Sequence, residues 1–103
     1  MLPGVARCHL LAEVLAADGM MTEAEREILE REMAQLGLSE AERDAVRHFE
    51  GAAGAVEVVA ALPEAERQSL IDHLVEAALA DGKLTPAETA VVKRIGAALQ
   101  LGG

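Results

Sequence analysis

Two segments of the chain carry the same set of oxygen donors. Asp18-Gly19-Met20-Met21-Thr22-Glu23-Ala24-Glu25 and Asp81-Gly82-Lys83-Leu84-Thr85-Pro86-Ala87-Glu88 both read Asp-Gly-x-Φ-Thr-x-x-Glu, where Φ is apolar. Hard divalent cations choose carboxylate oxygens. Asp18, Glu25, Asp81 and Glu88 are therefore candidate ligands for Ca²⁺ or Mg²⁺, provided the fold brings the two turns together. In an EF-hand loop the Asp, Gly, Φ and Glu would take the fifth, sixth, eighth and twelfth positions. The first and third positions would then be Val14 and Ala16, or Ala77 and Leu79, which offer no donor. A standard EF-hand is excluded. The same residues also have a purely structural reading. Thr22 and Thr85 suit helix N-caps, and Glu25 and Glu88, three residues on, complete capping boxes. Asp18 and Asp81 would accept N–H bonds from the turn that follows each of them.

The elements that position these turns are repeated as well. Residues 11–38 align with 74–101 at an offset of 63 without a gap, and 12 of the 28 aligned positions are identical. Shared Ala-rich composition does not reproduce Asp-Gly and Thr-x-x-Glu in register, so the chain holds two related units, about 5–38 and 68–101. Each unit reads as helix, turn, helix. Cys8, Leu11, Ala12 and Leu15 form an apolar stripe on the first helix, matched by Leu70, Ile71, Leu74, Val75 and Ala78. Gly19 and Gly82 stand where a left-handed residue would end each first helix. The second helix is expected over about 23–36, stopping at Gly37. Ser39 and Glu42 form a third capping box, opening a helix to about Glu50. Gly51-Ala-Ala-Gly54 breaks the chain before a short helix over about 55–62. Pro63 opens a long helix to about Ala80, and the last helix covers 86–99. The expected fold is all-α: a single-domain, compact pseudo-two-fold bundle of about five to six helices.

Ala17-Asp18-Gly19-x-Met21-x-x-x-Glu25 with Leu36-Gly37-Leu38-Ser39, and Ala80-Asp81-Gly82-x-Leu84-x-x-x-Glu88 with Ala97-Ala98-Leu99, resemble the two halves of a TerB-like domain of the tellurite-resistance family. The resemblance runs from about residue 5 onward. It implies a pseudo-symmetric helical fold, found alone or attached to other domains, including J-domain proteins. It further implies a link to tellurite and envelope-stress responses, divalent-metal binding at Asp18, Glu25, Asp81 and Glu88, and no established enzymatic activity.

Composition sets further bounds. With 18 acidic and 9 basic residues the net charge is −9, which opposes nucleic acids and anionic lipid, since binding to either begins with cations meeting phosphate. No apolar run approaches the roughly 20 residues of a membrane span, and no signal-peptide pattern opens the chain. A cytoplasmic setting is expected. Cys8, the lone cysteine, reads as a core residue. His9, His48 and His73 lack a zinc-spaced partner and are expected at a surface or interface. Glu23, Glu25, Glu27, Glu30 and Glu32 read as a solvated acidic face, with Glu27 and Arg31 paired at i,i+4. The chain has no Tyr, Trp or Asn and only two serines, so no nucleophile–base order can be assembled. A bundle this small is also expected to leave little room for a pocket of several hundred cubic ångströms. The functional expectation is a non-enzymatic interaction module with a protein partner, in a stress response. The alternative is a divalent-cation binding or sensing domain, and a homodimer is a third reading.

Overall fold

Thr22, Ser39 and Thr85 each start a helix by the same means: the hydroxyl accepts the N–H three residues on, while the glutamate there returns a carboxylate to the cap's own N–H. In this computed structural model, which describes residues 1–19, 21–50, 52–79 and 84–99, the helices are α1 (Pro3–Leu15), α2 (Glu23–Gln35), α3 (Glu40–Arg47), α4 (Ala52–Ala60), α5 (Glu64–Ala78) and α6 (Pro86–Ala98). No strand occurs among the described residues. The all-α reading holds. The radius of gyration, 12.4 Å, matches the roughly 13 Å of a folded chain of about 100 residues.

The bundle is organised around α1, which touches all five other helices. A stripe of Cys8, Leu11, Ala12 and Leu15 understates its burial. Val5, Ala6, His9, Leu10 and Val14 are buried too, so nine of the helix's 13 residues face protein. A helix apolar on every side belongs in a core. Around it pack Ile28, Leu29 and Met33 of α2, Val46 of α3, Ala55 and Val59 of α4, Leu70, Leu74 and Ala78 of α5, and Ile95 of α6. Ile71 and Val75 of the expected α5 stripe are only partly buried. Cys8 is fully enclosed, and burial, with Glu32 adding to it, pushes its thiol up to about 12. It is inert packing material, as expected.

His9 departs from expectation. It is 2 % exposed, and its Nδ1 has no hydrogen-bond partner. Burial lowers its pKa from the ordinary 6.5, with the Glu13 charge acting the other way. The folded state therefore binds this proton less well than the unfolded chain. The stability tied to neutral His9 is complete above pH 6.5 and is lost as pH falls below that value and through the lower folded one. Thermal melts of the wild type should show this loss on acidification, and the His9→Leu variant should flatten it.

Helix ends differ from the sequence reading around Phe49. α3 stops at Arg47, short of Glu50, and α4 begins at Ala52, with Gly54 inside it. The cause lies at Phe49. α2 closes with a Schellman motif: Gly37, at φ +70, donates to the Ala34 carbonyl, and Leu38 donates to that of Met33. α3 closes in the same way, Phe49 donating to Val46 and Glu50 to Ala45. Here the left-handed residue is Phe49, at φ +59. An L-residue in that region is disfavoured by about 1–2 kcal/mol relative to glycine. Burial offsets this only in part, because Phe49 is 44 % exposed. The Phe49→Gly variant should melt slightly above the wild type, a gain of at most about 1 kcal/mol.

Candidate functional site

Each repeat delivers its glutamate by the start of a helix. The Thr22 N–H donates to Glu25 Oε1 at 2.8 Å, and the Glu25 N–H donates to Thr22 Oγ1 at 3.1 Å. Thr85 and Glu88 repeat this at 2.9 and 3.1 Å. The structural reading of these four residues is thus correct as far as it goes. Capping does not require burial, however. Glu42, in the third capping box, is half-buried, whereas Glu25 is 6 % and Glu88 2 % exposed.

The reason is that the two units meet through these helix starts. The Glu88 carboxyl lies beside that of Glu25, and burial together with this neighbour raises the Glu88 pKa above its ordinary 4.5, against the bonds from Thr85 that lower it. Glu88 Oε2 is buried without a donor. Two carboxylates cannot sit side by side out of water without sharing a proton or a cation. The repeats touch at a second point: Thr85 Oγ1, while accepting from Glu88, donates its proton to Asp18 Oδ1 at 3.3 Å. Asp18 is exposed and is engaged by the other repeat's cap. Gly19 has the expected positive φ, +101, but α1 already ends at Leu15, so the glycine closes a turn onto the Ala16 carbonyl.

Asp18, Glu25 and Glu88 therefore come to one end of the bundle. Asp81 and Gly82 lie outside the described residues. Among the described residues no group of three or more His, Cys, Asp or Glu side chains is placed to hold a metal ion. The donor set that does converge is the glutamate pair. Glu13 reaches Arg94 at 3.4 Å and Glu76 is exposed, so neither joins the pair.

The acidic face of α2 is less uniform than its sequence implies. Glu25 is buried, Glu32 pairs with Arg7 at 2.6 Å, and Glu30 takes a two-pronged contact from Arg47 at 2.7 and 2.8 Å. That contact holds the Glu30 carboxyl below its usual range. The expected Glu27–Arg31 pair is not among the ion pairs of the described residues; Glu27 and Arg31 are both exposed. Beside Glu30 an open cleft of about 490 Å³ runs between the α1–α2 turn and the end of α3, lined by Ala16, Met21, Leu29 and Phe49 with Arg26 and Arg47 at its rim. A cleft of this size was not expected. A single aromatic at the left-handed end of a helix is the signal that marks it.

One family model, described as tellurite resistance protein TerB, matches residues 5–103. No curated protein and no solved structure matches the chain.

The glutamate pair has a measurable signature. Because the folded Glu88 pKa is raised, its contribution to stability is complete below 4.5 and is lost as pH rises through the folded value. Glutamine preserves a capping box and removes the like charge. Glu88→Gln should therefore melt above the wild type at pH 7 in metal-free buffer, and the difference should close as pH falls toward 4.

Proposed function

The chain belongs to the TerB family of tellurite resistance proteins, and from that premise we propose that it is a non-enzymatic binding module that holds a divalent cation between its two repeats. One observation carries this reading: two capping glutamates from separate repeats are buried against each other, with Glu88 Oε2 lacking any donor. Carboxylate oxygens suit a hard cation. Glu25 and Glu88 would hold it, and Asp18, fixed by the Thr85 hydroxyl, adds negative charge nearby. A pair of carboxylates with water completing the shell suits Mg²⁺, which keeps several waters, better than Ca²⁺, which takes 6–8 oxygens. The bound ion would supply the positive charge that the pair lacks. It would thereby join the two repeats and tie the assembly of the bundle end to cation supply.

The test is a thermal melt of EDTA-treated protein against Mg²⁺ and Ca²⁺. A cation at about 100 times its dissociation constant adds roughly 2.7 kcal/mol, or several degrees in Tm. The rise should disappear in the Glu25→Gln, Glu88→Gln double variant, which keeps both capping boxes. If neither cation moves the wild-type melt while Glu88→Gln still stabilises at neutral pH, the pair shares a proton and the cation reading fails.

A second reading, a protein-interaction module acting in a cytoplasmic stress response, is favoured by a different observation: the exposed Phe49 in its open cleft. The net charge of −9 disfavours nucleic acid as the partner, and no helix among the described residues is long and apolar enough to cross a membrane. If this reading is right, host cells carrying Phe49→Gly lose tellurite tolerance although the domain itself is more stable. Unchanged tolerance would count against it.

A further inference from the structure

We propose that the cleft between the α1–α2 turn and the end of α3 is a docking site for an acidic, amphipathic peptide segment of a partner protein, with Phe49 as its apolar anchor and Arg26 as the cation that receives a carboxylate. The inference rests on the interaction reading above and names the partner's chemistry.

Three observations support it. The first is Phe49. α2 and α3 end in the same backbone motif, and the one on α2 has glycine at the left-handed position. At α3 the chain's only aromatic occupies that position and remains nearly half exposed. A residue that costs the fold conformational energy and recovers only part of it by burial points to a role outside the fold. The second is shape. Ala16, Met21 and Leu29 make an apolar floor beside the Phe49 ring. An adaptable methionine and an aromatic ring at an open edge suit an interface anchor. A small-molecule site would instead enclose most of its ligand. The third is charge. On a chain with twice as many acidic as basic residues, the residues lining this cleft include two arginines, Arg26 and Arg47, and one acid, Glu30, with Asp44 and Glu40 approaching Arg47 from outside it. The Arg47 donors are already committed to Glu30 and Asp44. Arg26 has no ion pair among the described residues, so it is the group open to a carboxylate from outside.

The experiment is an NMR titration of the ¹⁵N-labelled chain with a synthetic helical peptide carrying leucines at i, i+3, i+4 and i+7 and glutamates between them. A lysine-for-glutamate peptide and decanoate serve as comparison probes. Shifts should cluster at Ala16, Met21, Arg26, Leu29 and Phe49, with affinity for the lysine peptide about tenfold weaker. The Phe49→Gly chain should lose about tenfold in affinity while melting higher, and Arg26→Glu should reverse the preference between the two peptides. Equal binding of both peptides at the cleft overturns the acidic partner and leaves the interaction reading standing. Binding of decanoate without either peptide, or shifts confined to another face, overturns the docking site itself. Unchanged tellurite tolerance of Phe49→Gly cells is the separate result that sinks the broader reading.

Discussion

A core with no ring larger than an imidazole must be closed by contact number. Leu, Val, Ile, Met and Ala fill space in small increments, so backbones have to approach closely and one helix has to be surrounded. α1 is that helix. Its alanines and Cys8 are fully enclosed, and every other helix takes its position from contact with it. Voids between such small side chains would cost dispersion energy that no aromatic is present to restore. This accounts for the unusual composition of the element: it contains residues from every azimuth of the helix, and it tolerates a buried His9 whose Nδ1 has no partner.

Joining two similar units through α1, the first helix of one of them, places Glu25 and Glu88 near each other. For apolar side chains this is harmless. For the glutamates of two identical capping boxes it is not, because symmetry brings like to like. Glu25 and Glu88 are each correct within their own helix and conflict only when the units are joined. The conflict is created by the fold and is absent from either unit alone. Its sign is also opposite to that of His9: acidification relieves the glutamate pair and strains the buried imidazole. The two groups therefore bound the pH range of stability from different sides.

Local rules were legible in the residues, and contacts between units were less so. Thr-x-x-Glu announced two helix starts and Ser-x-x-Glu a third, and Gly37 announced a helix end, because a cap is decided within a few residues of chain. The repeat offset of 63 placed Glu25 and Glu88 in equivalent positions, yet it could not say that their carboxyls would touch. That depends on how α2 and α6 cross α1. The Asp18 bond to Thr85 was missed for the same reason. His9 was assigned to a surface or interface because its neighbours' stripe was drawn too narrow. The end of α3 was misplaced because Phe is a poor predictor of a left-handed conformation, and Gly51, two residues on, looked like the better stop.

Among the described residues, the glutamate pair and Phe49 are two places, besides the unpartnered His9 Nδ1, that break a local rule. They are not independent in space. The segment from Ala16 to Glu25 supplies Ala16, Gly19 and Met21 to the cleft, Asp18 to the contact with Thr85, and Glu25 to the pair. Glu25 lies in the first turn of α2, and Ala16, Gly19 and Met21, between that turn and α1, line the cleft. Coupling between two sites requires an element whose arrangement both of them bias. The described residues of this short turn touch both, and so does the first half of α2, through Glu25 on one side and Arg26 and Leu29 on the other.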